Sequence, residues 1–216
     1  MSDASTLRDE PLPPGTAHLC VDMQRMFVED TPWRLDWAPR VLPRIVALCE
    51  HDPEACVFTR FIPARRPGEG HGVWRRYYEH WADMTLEALG PGMVEIVPEL
   101  AHFAPLGQVI DKPIYSPWLG SGLHARLQAR GCTALAITGG ETDMCVLNAV
   151  LGAADLGYRT ILARDGVCSS SNVAHDDMLR RQGASADWPR LGNKWAKRSS
   201  SKTGPSSSRK LRSREP

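Results

Sequence analysis

The chain has six thiols, at Cys20, Cys49, Cys56, Cys132, Cys145 and Cys168. A thiol attacks carbon as the thiolate, so a nucleophilic cysteine needs a base or a positive charge beside it. Cys145 lies in GGETDMCVLNAV, where an apolar strand must turn into a helix. Backbone N–H groups and the positive end of a helix dipole favour a thiolate there, and the same N–H groups can hold an oxyanion. Asp22 closes the apolar run AHLCV and Lys112 closes QVIDK, so a carboxylate and an ammonium stand ready to converge on that thiol. Taken singly, each residue has a plainer reading: a buried structural cysteine at the top of a helix, a capping carboxylate and a solvated surface lysine. Cys20, Cys56 and Cys132 sit inside apolar stretches and read as buried thiols in a reducing compartment, the cytoplasm. No CxxC pair is present, so the spacing points to no structural zinc site.

These groups need elements to carry them. Residues 17–21, 55–59, 108–111, 133–138 and 159–163 are short apolar runs that read as strands. Between them, helices are expected over 39–50, with Pro43 in the first turn, from Val73 to Leu89, from Leu119 to Arg130 and from the Cys145 turn to about Leu156. A short helix is expected over 172–181. Gly131 and Gly157 are helix stops. Strands alternating with helices predict an α/β fold, a three-layer αβα arrangement around a Rossmann-like parallel sheet of about five to six strands. The strands are apolar throughout, as a sheet covered on both faces requires. In such sheets the site lies at the carboxyl ends of the strands.

The 216 residues suffice for one such domain. We divide them into an N-terminal extension (1–14), a catalytic domain (15–181) and a basic low-complexity tail (182–216). Residues 181–216 carry ten Lys and Arg against two Asp and Glu, whereas residues 1–180 carry 16 against 23. The body is therefore acidic and the tail basic. No apolar run is long enough to span a bilayer, and the N-terminus has no leader-like apolar segment.

The segments VDMQRMF, DKPIYSPWLGSGL and TGGETDMCVLNAVLGAADLGYR resemble the isochorismatase-like cysteine hydrolases. Among these are nicotinamidases, N-carbamoylsarcosine amidase, and the ureidoacrylate and biuret hydrolases. The resemblance covers roughly residues 15 to 180. It implies a catalytic triad in which Asp22 takes the proton of Cys145, the thiolate attacks an amide carbonyl, and a thioester is then hydrolysed. Lys112 stays charged and orients the site. The resemblance also implies a cis peptide at Gly140–Glu141, with the N–H groups of Glu141 and Cys145 as oxyanion donors. Thr142 and Asp143 would brace the turn through their side chains. The implied activity is hydrolysis of a small amide or ureido C–N bond. Vinyl-ether cleavage of the isochorismatase type is an alternative, and so is an idle relative that survives as a binding or assembly protein.

The chain departs from the family pattern in several places. Metal-dependent nicotinamidases hold their ion through an Asp and a His after the second strand. The matching stretch here, FTRFIPARRPGEGH, has no Asp-x-His, and His71 and His80 read as surface histidines, so no metal and no cofactor are expected. Arg60 stands where an acidic or polar group is usual. It suits a substrate carboxylate, or else a surface salt bridge. Tyr115 and Trp118, just after Lys112, are candidates for the pocket wall. Trp74, Tyr77, Tyr78 and Trp81 recur at near-helical spacing, as core, subunit interface or pocket. The expected partners are a small-molecule substrate that could bear a carboxylate and further copies of this chain, with no membrane. RRQGASADWPRLGNK replaces the usual final apolar strand. The basic tail could be an arm for an anionic partner such as nucleic acid, but a changed reading frame that replaced the last strand is the preferred reading.

Overall fold

The computed structural model describes residues 12–183. Five strands, β1 (Thr16–Val21), β2 (Cys56–Phe61), β3 (Gln108–Lys112), β4 (Ala134–Gly140) and β5 (Arg159–Cys168), form one parallel sheet in the order β3-β2-β1-β4-β5. The helices are α1 (Arg25–Val28), α2 (Ala38–His51), α3 (Val73–His80), α4 (Pro98–Ala101), α5 (Leu123–Ala129), α6 (Leu147–Asp155) and α7 (Asn172–Gly183). They cover both faces, and each face has its own core. One is built on Leu19, Ile137, Leu127 and Val150, the other on Cys20, Phe58, Ile45 and Leu100. Every residue of β4 is buried, which is why ALAITGG carries no alternation. The α/β class and the layered parallel sheet are thus as the patterning predicts.

The strand order reverses direction at β1, which lies between β2 and β4. Crevices open at the carboxyl ends of strands on either side of such a point, and Asp22 sits there. Lys112 ends β3, which is separated from β1 by one strand. β2 lies between them, with Phe61 opposite Lys112 in register.

Several element boundaries differ from the expectation. Pro43 is inside α2 rather than in its first turn, because the helix begins at Ala38 with Pro39 just inside it. Pro39 and Pro43 both face solvent, so the carbonyl left without its usual N–H partner can meet water. α3 ends at His80 instead of Leu89; the chain leaves the helix at Trp81 and continues through a short turn, Ala82–Met84. α5 starts only at Leu123, since Gly120 and Gly122 adopt positive φ and form a turn. β5 runs on to Cys168, five residues beyond the expected end, through a bulge. Ile137 pairs with Leu162, but Gly139 pairs with Val167. The polar Arg164, Asp165 and Gly166 lie within that bulge.

No helix among the described residues is long and apolar enough to cross a membrane. The first eleven residues and the tail from residue 184 lie outside the described residues, so the expectations for a lost final strand and a basic arm fall there. Among the described residues β5 forms one edge of the sheet.

Candidate active site

Three strand ends meet at one buried point. Asp22 follows β1 and turns the chain with a φ of 50°. Its N–H reaches the Thr59 carbonyl at 3.2 Å and Thr59 Oγ1 at 3.1 Å, and Thr59 Oγ1 donates to Asp22 Oδ1 at 2.6 Å. One carboxylate oxygen is thereby fixed, and the other faces Lys112 Nζ at 2.7 Å. The Lys112 ammonium is fully buried. It also donates to the Ile114 carbonyl at 3.1 Å and to Cys145 Sγ at 3.4 Å. Its nitrogen lies 5.1 Å from the centre of the Phe61 ring, a cation–π contact. Asp22, Lys112 and Cys145 are therefore brought together from three different strands.

The electrostatics follow from burial. Desolvation works against the Lys112 ammonium, but the Asp22 carboxylate and the Cys145 sulfur outweigh it, and the Lys112 pKa is raised. Burial pushes the Cys145 thiol up; the Asp22 carboxylate pushes further in the same direction, and Lys112 opposes both. Burial and Asp22 thus favour the thiol form of Cys145, whereas the helix-turn argument alone favours a thiolate. The thiol faces a preformed ion pair, so moving its proton to Asp22 exchanges one anion for another and leaves the buried net charge unchanged.

The turn that carries Cys145 is held from several sides. Residues Thr142–Val146 form a single wide turn of π type that leads directly into α6, so Cys145 lies near the amino end of a continuous helical stretch. The Gly140–Glu141 peptide is cis. The Glu141 carbonyl accepts from the N–H groups of Met144 at 3.1 Å and Val146 at 3.0 Å. Thr142 Oγ1 donates to the Cys168 carbonyl at 2.8 Å and lies 2.9 Å from His175 Nδ1. Asp143 Oδ1 accepts from Ser169 Oγ at 2.6 Å. Glu141 Oε1 accepts from the Ser170 N–H at 3.0 Å and from the Ser170 hydroxyl. Gly139 has a φ of 104°, and a Cβ there would lie 2.0 Å from the Val21 carbonyl oxygen. The close approach of β1 and β4 thus requires glycine.

A cavity of about 230 Å³ opens onto Cys145. Tyr115, Phe61, Trp33, Tyr77 and Trp81 contribute to its walls, and Arg34 brings a cation to it. Of the residues proposed for substrate, Tyr115 is in this wall. Trp118 is not: its indole N–H donates to the Ala149 carbonyl at 3.0 Å, and its ring stacks on Tyr158 at 5.9 Å. It packs α6 against the following strand. Arg60 is likewise excluded. Its guanidinium grips both oxygens of Asp111, at 2.8 and 2.9 Å, and Glu95 at 2.6 Å. Its neighbours in the folded chain already supply the carboxylates it was expected to seek. The aromatics of α3 turn inward, with Tyr78 buried and Trp74 5.0 Å from Tyr115.

Sequence reasoning missed Thr59, Arg34, Trp33 and the Glu141 carboxylate. Thr59 is the one hydroxyl in the apolar run ACVFT, which is a weak signal. Arg34 and Trp33 had none, because the loop that carries them has no periodicity.

Around Cys145, the Lys112 ammonium lies 2.7 Å from the carboxylate and 3.4 Å from the sulfur, so these donors already face a fixed cation. Among the described residues, the one group of three His, Cys, Asp or Glu side chains with ligand atoms close together is His18, Cys49 and Cys56, which lies elsewhere.

The isochorismatase domain family matches residues 16–187 of this chain. A probable inactive nicotinamidase from Arabidopsis thaliana is 26% identical over 155 residues, 68% of this chain and 76% of that protein. A cysteine hydrolase from Pseudomonas syringae pv. phaseolicola is similar in structure, with a TM-score of 0.72 at 22% identity over 86% of this chain and 92% of that one. N-carbamoylsarcosine amidase from Thermoplasma acidophilum has a TM-score of 0.63 at 20% identity, over 78% of this chain and 92% of its own.

Proposed function

Because this chain belongs to the isochorismatase domain family of hydrolases, we propose that it is a cysteine-dependent amidohydrolase cleaving a small amide or ureido C–N bond without a metal. One observation carries this reading: a buried ammonium lies 2.7 Å from a carboxylate and 3.4 Å from a thiol at the floor of a cavity.

The reaction balances on these groups. The Cys145 proton passes to Asp22 as sulfur bonds to the substrate carbonyl carbon. The oxyanion that forms is held by the N–H groups of Glu141 and Cys145, near the amino end of the helical stretch. When the C–N bond breaks, Asp22 returns the proton to the departing nitrogen. Water then attacks the thioester carbon and gives a proton to Asp22, the C–S bond breaks, and the proton goes back to sulfur. Lys112 keeps its charge throughout and balances whichever anion is present, carboxylate or thiolate.

The cavity is smaller than the roughly 300–1,000 Å³ typical of drug-sized ligands, which suits a small, flat substrate between aromatic walls. If the substrate bears a carboxylate, Arg34 rather than Arg60 is the group to meet it: Arg34 lines the cavity and its ion pair with Asp36, at 3.4 Å, is solvent-exposed, whereas Arg60 is held by Asp111 and Glu95.

Ammonia release from a panel of small primary amides and ureido compounds tests the reading. Activity is expected in the wild type and should fall by about a thousandfold or more in Cys145→Ala. Turnover that survives this substitution rules out the nucleophile. The relative described as probably inactive keeps a second reading open, an idle fold. A wild-type chain that forms no thioester adduct by intact mass with any member of the panel would favour it.

A further inference from the structure

The second chemical cluster lies at the other end of the sheet. His18 in β1 is the register partner of Cys56 at the start of β2, and Cys49 is in the last turn of α2. His18 Nδ1 is 3.6 Å from Cys49 Sγ and 3.7 Å from Cys56 Sγ, and the three ligand atoms all lie within 4.8 Å of one another. All three residues are essentially fully buried. The other ring nitrogen, Nε2, is 2.8 Å from Thr138 Oγ1. A hydroxyl that accepts from Nε2–H leaves a lone pair on Nδ1, aimed between the two sulfurs. A metal-binding imidazole is held in the same way by an outer partner.

We propose that His18, Cys49 and Cys56 bind a thiophilic divalent cation, with zinc as its first candidate, that ties β1, α2 and β2 together. Zinc bonds of about 2.0 Å to nitrogen and 2.3 Å to sulfur give N···S separations of about 3.5 to 3.7 Å between ligands, which is what both pairs here show. Two thiolates neutralise the ion, so the buried unit carries no net charge. Binding therefore releases the two thiol protons to solvent. The Asp52 carbonyl, which accepts from the Cys56 thiol at 3.4 Å, is the candidate oxygen for a fourth position. His18 is four residues before Asp22 on an extended strand, roughly 13 Å away at about 3.3 Å per residue. The ion is too distant to touch the reacting carbon, and its role is structural. This site is independent of the amidohydrolase reading, and its test does not depend on turnover.

The test uses the full-length chain carrying Cys145→Ala, so that the nucleophile adds no thiol chemistry. Metal content after zinc loading and gel filtration should be about one zinc per chain. It should drop at least tenfold in Cys49→Ser, Cys56→Ser and His18→Ala, while His71→Ala retains it. If those variants fail to fold, cobalt loaded into the parent chain decides: thiolate-to-cobalt charge-transfer absorption is expected. Three results would overturn the proposal: no retained zinc, zinc retained without thiolate absorption of the cobalt form, or a chain about 2 Da light from a Cys49–Cys56 disulfide.

Discussion

At the scale of single residues, burial sets the charges of the candidate site. The Cys145 thiol is pushed up by desolvation and by Asp22, so it is protonated in the folded chain well above neutral pH. Once the chain unfolds, the same thiol ionises near pH 8.5. Above that pH the unfolded state binds fewer protons than the folded one, so stability is full below it and falls as pH rises. The Cys168 thiol, raised to about 12 by burial and then by Glu141, acts in the same direction. The denaturant midpoint should therefore fall between pH 8 and pH 10, and less steeply in Cys145→Ala than in the wild type. Thr59 gives a second test. Its hydroxyl donates to Asp22 Oδ1, and Thr59→Val leaves that buried oxygen without a donor, at about 1–3 kcal/mol of stability. Urea melts should show that loss, and kcat should fall about tenfold or more as the carboxylate loses its orientation. Arg34→Ala separates substrate classes: KM should rise about tenfold for amides carrying a carboxylate and stay within about twofold for neutral ones.

At the scale of elements, the turn that carries Cys145 is held by the segment after β5. Ser169 and Ser170 donate to Asp143 and Glu141, and Thr142 donates to the Cys168 carbonyl. On the proposed mechanism, removing one of these contacts with Ser169→Ala should reduce kcat more than it reduces stability, because the turn would position the nucleophile while the sheet holds the fold. Paired kinetics and thermal melts check this. The longer helix α2 carries an internal Pro43 on its solvent face. Pro43→Ala restores an N–H to the ladder and removes a ring clash, so stability should rise by about 1–3 kcal/mol with no change in turnover.

For the whole molecule, the strand order is what creates the site. β1 lies at the centre of the sheet, and Lys112 reaches Asp22 past β2. The cavity, the turn and its supports all fall between Phe27 and His175. A chain ending after residue 187, where the family match ends, should therefore keep kcat within about twofold of the full chain.

The strands, their parallel sheet and the grouping of Asp22, Lys112 and Cys145 were legible in the sequence. Each rests on local information: apolar runs of strand length, and Asp22, Lys112 and Cys145 at or just beyond the ends of such runs. The charge state of Cys145 was not legible, because it depends on how deeply the thiol and Asp22 are buried together. Arg60 misled for a similar reason. Its strand-end position fits a substrate contact, but the adjacent β3 brings Asp111 opposite it in register. Trp118 follows Lys112 in the chain, yet the turn directs it onto α6. Pocket residues on loops without periodicity, such as Trp33 and Arg34, have no local pattern to betray them. The thiols show the division most clearly. Along the chain Cys49 and Cys56 have no metal-site spacing, and only the register of β1 with β2 and the packing of α2 place them around His18. Local patterning determines which elements form and what stands at their ends. Which side chains meet is decided by strand order, register and burial, which arise from long-range packing.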